Sequence, residues 1–222
     1  MLGEQSIIER KNLVGTAPLA SVISSIAPST VAILAGGKSQ RMGRDKAELR
    51  FGSHGQQTWL ERLCDLAIAS GANAVVVGRN RPEGWRNRDV VFLCDALPPC
   101  GPLGGLATAL AYAGNSRVAL VGCDMPRLTT RAFRWLLAQP VGAANPGGVA
   151  TVAGGELQPL FSIYSPTLLP IVTERMERGE YSLRGVIGAG RLARVDVPDW
   201  LAPQLAGVNT PEEFAAWRGE QS

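Results

Sequence analysis

The chain has 222 residues, enough to bury one sizeable core and cramped for two. Hydrophobic residues make up 45% and charged residues 18%, a balance that excludes a disordered chain. The net charge of +3 is too mild to mark a nucleic-acid binder, and it leaves room for a polyanionic small substrate.

No run approaches the ~18–20 apolar residues of a membrane span. Four cysteines, Cys64, Cys94, Cys100 and Cys123, form no Cys-x-x-Cys pair, so neither a zinc knuckle nor a redox motif is indicated. They read as buried or reduced thiols of a cytosolic protein. The single histidine, His54, stands beside Gly55 and reads as a solvated loop residue. One histidine excludes most His-rich metal sites and argues against His-dependent catalysis.

Residues 12–28 are fairly apolar and follow Arg10 and Lys11, a faint signal-peptide pattern broken by Pro18, several serines, Glu4 and Glu9. Residues 1–29 therefore read as an N-terminal extension, disordered or accessory, ahead of a single domain over 30–222. Val31–Leu34 is a short apolar run ending in glycines, which predicts a buried strand. Helical spacing of Leu60, Leu63, Ala67 and Ile68 predicts a helix over Gln57–Ser70, stopped by Gly71. Strands follow at Ala74–Val77 and Val90–Leu93, a helix at Leu103–Ala113, a strand at Arg117–Gly122 and a helix at Thr129–Ala138. Continuous apolar strands separated by helices indicate an α/β fold with a mostly parallel sheet covered on both faces.

The second half is less regular. Val149–Val152, Leu160–Tyr164 and Leu192–Val197 read as strands, and Pro166–Arg178 and Ser182–Gly188 as helices. Pro211–Trp217 reads as a terminal helix with Thr210 as N-cap and Pro211 in its first turn.

Ligands in such sheets sit outside the carboxyl ends of the strands. Three loops stand there, at 35–46, 94–102 and 123–128. In the first, Gly36, Gly37 and Gly43 free backbone N–H groups to face an anion, and Lys38, Arg41, Arg44 and Lys46 add cations. That combination suits a triphosphate. The P-loop spacing fails, because one residue too many separates Gly37 from Gly43 and Arg44 stands in place of the lysine. The dinucleotide pattern Gly-x-Gly-x-x-Gly is also absent. In the third loop, Asp124 ends a buried strand, where a carboxylate is well placed for a magnesium ion or for a cap or turn.

Leu34-Ala-Gly-Gly-x-Ser-x-Arg-Met-Gly-x-Asp-Lys46 resembles the molybdenum cofactor guanylyltransferase family, a branch of the nucleotidyltransferases. Related cytidylyltransferases usually carry Leu-Ala-Ala-Gly here, and the Gly-Gly form with its Asp-Lys ending points to the guanylyl branch. The resemblance runs from Val31 to Trp217 and includes Asp95, Gly101-Pro-Leu-Gly-Gly, Cys123-Asp-Met-Pro126, Gln158-Pro-Leu-Phe-Ser-Ile-Tyr164, Ser182-Leu-Arg184 and Val208-Asn-Thr-Pro-Glu-Glu213. Tyr181 departs from it, standing where the family carries Arg. It implies a Rossmann-like three-layer sandwich of the glycosyltransferase-A-like nucleotidyltransferase type.

By the same resemblance, GTP falls on Leu34, Ala35, Gly36, Gly37, Arg41, Met42, Gly43, Lys46, Asp95, Gly101, Pro102, Leu103 and Asp124. Lys46, Asp124 and Arg41 would carry the chemistry, with Mg2+ on Asp124. Gln158, Ser182, Arg184 and Asn209 would face the pterin. The implied reaction joins GMP from GTP to the phosphate of molybdopterin and releases pyrophosphate. The implied setting is the cytoplasm, with no nucleic-acid or membrane partner and with transient contact to molybdenum cofactor biosynthesis proteins or acceptor molybdoenzymes. The loop's own chemistry does not force guanine over cytosine. A cytidylyl- or sugar-phosphate nucleotidyltransferase, or an inactive nucleotide- or pterin-binding accessory protein, stays open on the residues alone.

Overall fold

Three five-residue runs, TVAIL, NAVVV and VALVG, form the middle of one sheet, and almost every residue in them is buried. The computed structural model describes residues 29–36, 49–51, 57–94 and 100–219. In chain order the elements are β1 (Thr30–Leu34), β2 (Arg50–Phe51), β3 (Gln57–Thr58), α1 (Trp59–Ala69), β4 (Asn73–Val77), β5 (Val91–Leu93), α2 (Gly101–Ala113), β6 (Val118–Gly122) and α3 (Thr130–Leu137). The second half adds β7 (Gly148–Ala153), β8 (Glu156–Leu157), β9 (Phe161–Tyr164), α4 (Leu169–Glu177), α5 (Leu183–Ala189), β10 (Ala193–Asp196) and α6 (Pro211–Gly219).

The main sheet runs β10-β7-β9-β6-β1-β4-β5, with β8 attached to β7. Pairings β1–β4, β1–β6, β4–β5 and β7–β10 are parallel, and β9 runs antiparallel between β6 and β7. The sequence-based expectation of a mostly parallel α/β sheet holds. The reversal at β9 was not expected, because an apolar run reads the same in either direction.

Alternation along the strands splits the core into two layers. Val31, Ile33, Val76 and Val121 pack with Trp59, Leu63, Phe133 and Trp217 from α1, α3 and α6. Ala32, Val75 and Leu120 face the other way, onto Leu106, Leu110, Val172 and Val186 from α2, α4 and α5. Helices thus cover both faces, the three-layer arrangement. Among the described residues, no helix is long and apolar enough to cross a membrane.

Several element boundaries differ from expectation for local reasons. Helix α1 begins at Trp59 rather than Gln57, because Thr58 caps it: the Thr58 hydroxyl accepts from Glu61 N–H while the Glu61 carboxylate accepts from Thr58 N–H. Gln57 and Thr58 instead pair with Arg50 and Phe51 in a short antiparallel ribbon. Helix α2 starts two residues early, at Gly101, with Pro102 in its first turn. The segment from Pro166 begins as a 3-10 turn, with the α-helix proper running from Leu169 to Glu177. Thr210 caps α6 as expected, accepting from Glu213 N–H, and the Glu213 carboxylate reaches back to the N–H groups of Asn209 and Thr210.

Candidate active site

Backbone hydrogen bonds hold the carboxyl ends of four strands level. Ala35 N–H donates to Val77 O (3.0 Å), Cys123 N–H to Leu34 O (3.1 Å) and Gly78 N–H to Leu93 O (2.9 Å). Leu34, Ala35 and Gly36 therefore lie along the crevice that an open α/β sheet leaves for a ligand. Helix α2 presses close to this edge. A Cβ on Gly105 would meet Leu34 Cδ2 at 2.7 Å, so the second glycine of Gly104-Gly105 lets the helix lie against the end of β1. Gly101 and Pro102 are exposed at the start of α2, whereas the Leu103 side chain is fully buried in the core. Leu103 can face a nucleotide only through its backbone.

Asp124 stands two residues past β6. Its Oδ1 is buried and has no hydrogen-bond partner among the described residues. Glycines cradle the carboxylate on both sides: a Cβ on Gly122 would lie 2.6 Å from Oδ1, and one on Gly207 would lie 3.0 Å from Oδ2. The turn itself is anchored. Val208 N–H donates to Asp124 O (2.8 Å), and the Arg62 guanidinium from α1 donates to Pro126 O (3.2 Å) and Leu128 O (2.9 Å). Burial pulls that guanidinium below its ordinary pKa. Asp124 caps no helix; Thr129 accepts from Ala132 N–H and caps α3.

A buried carboxylate oxygen without a donor is costly unless a cation meets it. The orphaned oxygen of Asp124 therefore fits a divalent ion. Among the described residues no cluster of three or more His, Cys, Asp or Glu side chains could hold a metal.

Beside Asp124 opens a cleft of about 410 Å³, lined among others by Glu156, Gln158, Leu160, Arg184, Gly207 and Asn209. The structure thus brings Asp124, Gln158, Arg184 and Asn209 together from four separate segments. Arg184 Nη2 lies 3.3 Å from Glu156 Oε2, and both side chains are exposed. Ser182 is not part of the lining; it is exposed at the N-terminus of α5, where its side chain caps nothing. Tyr181 is exposed beside it. Gly37, Arg41, Met42, Gly43, Lys46 and Asp95 lie outside the described residues, as does His54.

Sequence reading missed Glu156 and Gly207. Gly154-Gly155 was the available signal for the first. Both residues have positive φ (57° and 81°), the requirement of a type I′ two-residue hairpin turn, and they join β7 to β8 where Glu156 sits. Gly207 carries no local signal, because its role depends on Asp124 lying above it.

None of Cys64, Cys94, Cys100 and Cys123 forms a disulfide. Cys64 is buried in α1, and Cys94 is exposed past β5, its thiol donating to Asn80 Oδ1 at 2.8 Å.

The sequence profile of the MobA-like NTP transferase domain matches residues 31–195. The chain belongs to the MobA-like NTP transferase family. It is a nucleotidyltransferase. Over 195 residues it is 30% identical to the molybdenum cofactor guanylyltransferase of Syntrophotalea carbinolica, covering 84% of this chain and 89% of that one. Over 198 residues it is 31% identical to the molybdenum cofactor guanylyltransferase of Pseudomonas paraeruginosa, covering 86% and 96%. Among solved structures, the molybdopterin-guanine dinucleotide biosynthesis protein A of Archaeoglobus fulgidus superposes with a TM-score of 0.68 at 17% identity, over 86% of this chain and 98% of that one. The 2-C-methyl-D-erythritol 4-phosphate cytidylyltransferase of Thermus thermophilus gives 0.58 at 18% identity, over 87% and 98%. At such identities these two establish the shared fold.

Proposed function

We propose that this nucleotidyltransferase transfers GMP from GTP to the terminal phosphate of molybdopterin, releasing pyrophosphate. The observation that carries this reading is the orphaned, buried Oδ1 of Asp124 beside a cleft that also gathers Gln158, Arg184 and Asn209. Relatives named molybdenum cofactor guanylyltransferase, matched over most of their length, supply the substrate pair.

In this reading Asp124 holds a divalent cation, magnesium by the chemistry of its donor set. Bound there, the ion supplies charge neutralisation at the phosphate oxygens. Lys46 and Arg41 offset negative charge on the triphosphate. The glycine-rich segment from Leu34 through Gly43, Asp95, and the α2 entry at Gly101, Pro102 and the Leu103 backbone receive the nucleotide. Arg184 takes an acceptor phosphate, and Gln158 and Asn209 offer amide groups to the pterin; Ser182 stands at the edge of that side. An acceptor phosphate oxygen forms the new bond to the α-phosphorus as the bond to the β-phosphate oxygen breaks. The nucleophile is already an anion, so the reaction needs positioning and electrostatics rather than a strong base. A chain with one histidine is equipped for that. The setting is the cytoplasm, where molybdenum cofactor enzymes are transient partners.

Pyrophosphate release by the purified protein with magnesium and molybdopterin tests the reading. GTP should support turnover, and CTP and UTP should not. Turnover with CTP and none with GTP would replace the guanylyl assignment by a cytidylyl one. Tight GTP binding with no product would make the chain an accessory protein.

A further inference from the structure

We infer that the buried hydroxyls of Thr151, Ser162 and Tyr164 are positioning residues that set the acceptor wall of the cleft and, through it, affinity for the acceptor. The inference rests on the functional reading above, in which the Gln158 side of the cleft takes the acceptor. Strands β7 and β9 pair only at Gly148↔Tyr164 and Val149↔Ile163. Beyond that point the ladder opens, and β7 pairs with β8 instead, Val152 opposite Leu157. The turn carrying Gln158, Pro159 and Leu160 fills the resulting fork and lines the cleft.

Four consecutive carbonyls in and after this turn each have a donor, three of them side-chain hydroxyls. Ser162 Oγ donates to Gln158 O (2.7 Å), which also accepts from Phe161 N–H (2.9 Å); Tyr164 Oη donates to Pro159 O (2.9 Å) and Thr151 Oγ1 to Phe161 O (2.6 Å). The fourth, Leu160 O, accepts from Gly122 N–H at 3.0 Å, which ties the turn to the end of the strand leading to Asp124. Ser162 Oγ also accepts from Thr151 N–H (3.1 Å), and Gln158 N–H donates to Thr151 O (2.9 Å). Thr151, Ser162 and Tyr164 are fully buried. Burial pushes the Tyr164 phenol up from its ordinary value, so it remains a donor through neutral pH.

The physical logic is one of spacing. A continued β7–β9 ladder would take the alternate carbonyls that face β7, Pro159 and Phe161, by closing the fork, and the wall would vanish. Hydroxyls satisfy them with the strands held apart. Each deletion strips a polar group of a partner (Phe161 O of Thr151, Pro159 O of Tyr164, the Thr151 N–H of Ser162), so loss of one hydroxyl should let the turn shift or open rather than stand unchanged. The wall then loses its fixed distance from Asp124, which is the distance the acceptor must span.

The test uses the full chain and three conservative variants, Thr151→Val, Ser162→Ala and Tyr164→Phe, with Thr151→Ser as the hydroxyl-retaining control. Two readouts are taken. The first is KM for molybdopterin and for GTP, with kcat. The second, independent of turnover, is backbone amide exchange over residues 156–162 and 123–128. Each hydroxyl-deleting variant should raise KM for molybdopterin by about fivefold or more and leave KM for GTP within about twofold. Exchange over 156–162 should quicken while 123–128 stays protected, and Thr151→Ser should retain wild-type values. A lower melting temperature with both KM values and the 156–162 exchange unchanged would overturn the inference, leaving the hydroxyls as core packing. Equal rises in both KM values would also overturn it. If one variant fails to fold, the other two carry the test. If the wild-type chain transfers nothing to molybdopterin, the functional reading fails by itself. Exchange over 156–162 then decides separately whether the hydroxyls hold the wall.

Discussion

The two sides of the crevice are built from different materials. On the β1–α2 side the backbone itself comes close: Gly36 lies against the Gly78 backbone, Gly105 lets α2 lie on the Leu34 side chain, and the strand ends are tied together by main-chain bonds. On the β9–α5 side, side chains from distant segments converge: Glu156, Gln158, Arg184 and Asn209 share one cleft, with buried hydroxyls propping the turn that carries Gln158. Asp124 stands where the two meet. A backbone cradle suits phosphates, which every nucleoside triphosphate shares, whereas a side-chain wall suits discrimination between acceptors.

The comparison breaks most visibly at the junction. Asp124→Ala and Lys46→Ala should each lower kcat by about 10²–10³-fold, the scale for removing one group that stabilises developing charge. Far-ultraviolet circular dichroism should show the fold intact in both. Activity near wild type in either variant, or loss of the fold, would remove that residue from the chemistry.

The next effect belongs to the cradle. Gly105→Val inserts a side chain where even a Cβ would meet Leu34 at 2.7 Å. It should lose about 1–3 kcal/mol of stability in urea unfolding and weaken GTP binding. A variant as stable as wild type would mean that α2 can back away from β1 without cost.

On the wall, Arg184→Ala should raise KM for molybdopterin by about tenfold with KM for GTP unchanged, the loss expected for one charge-assisted hydrogen bond. A matching rise in KM for GTP would dissolve the division between the two sides.

The smallest effect lies outside both. Burial, then Asp65 and Glu61, push the Cys64 thiol well above its ordinary value of 9.0. Above that value the unfolded chain releases a proton that the folded chain keeps. Stability from this group is therefore complete below about pH 9 and declines as pH rises, by at most about 1.4 kcal/mol per unit. Urea midpoints between pH 8 and 10 should fall more steeply for wild type than for Cys64→Ala; parallel slopes would contradict the assignment. Exposed Cys94 should alkylate in the native state while Cys64 stays inert.

The division also explains what the sequence made legible. Val31–Leu34 and Arg117–Gly122 could be read as strands because residues buried on both faces leave continuous apolar runs, and the glycine-rich segment after the first could be read as a phosphate loop. Asp124 was readable because it ends such a run. The wall was not readable from local pattern. Glu156 lies on a two-residue strand, and Gly207 matters only through what stands above it. Thr151 and Ser162 look like ordinary strand residues until the fork between β7 and β9 is seen. Gln158, Arg184 and Asn209 were indicated through family resemblance alone, and Ser182, indicated the same way, does not line the cleft. The direction of β9 was hidden because an apolar run carries no record of its polarity.

One nucleotide should cross from the cradle to the wall past Asp124. Following the α-phosphorus tests it most directly. GTP labelled at that atom is incubated with the protein, magnesium and molybdopterin, and the products are separated. Label is expected in a guanine–pterin dinucleotide, with one unlabelled pyrophosphate released per label transferred and with transfer by Asp124→Ala slower by about 100-fold or more. Label that stays in GTP, or transfer that occurs from CTP instead, would contradict it.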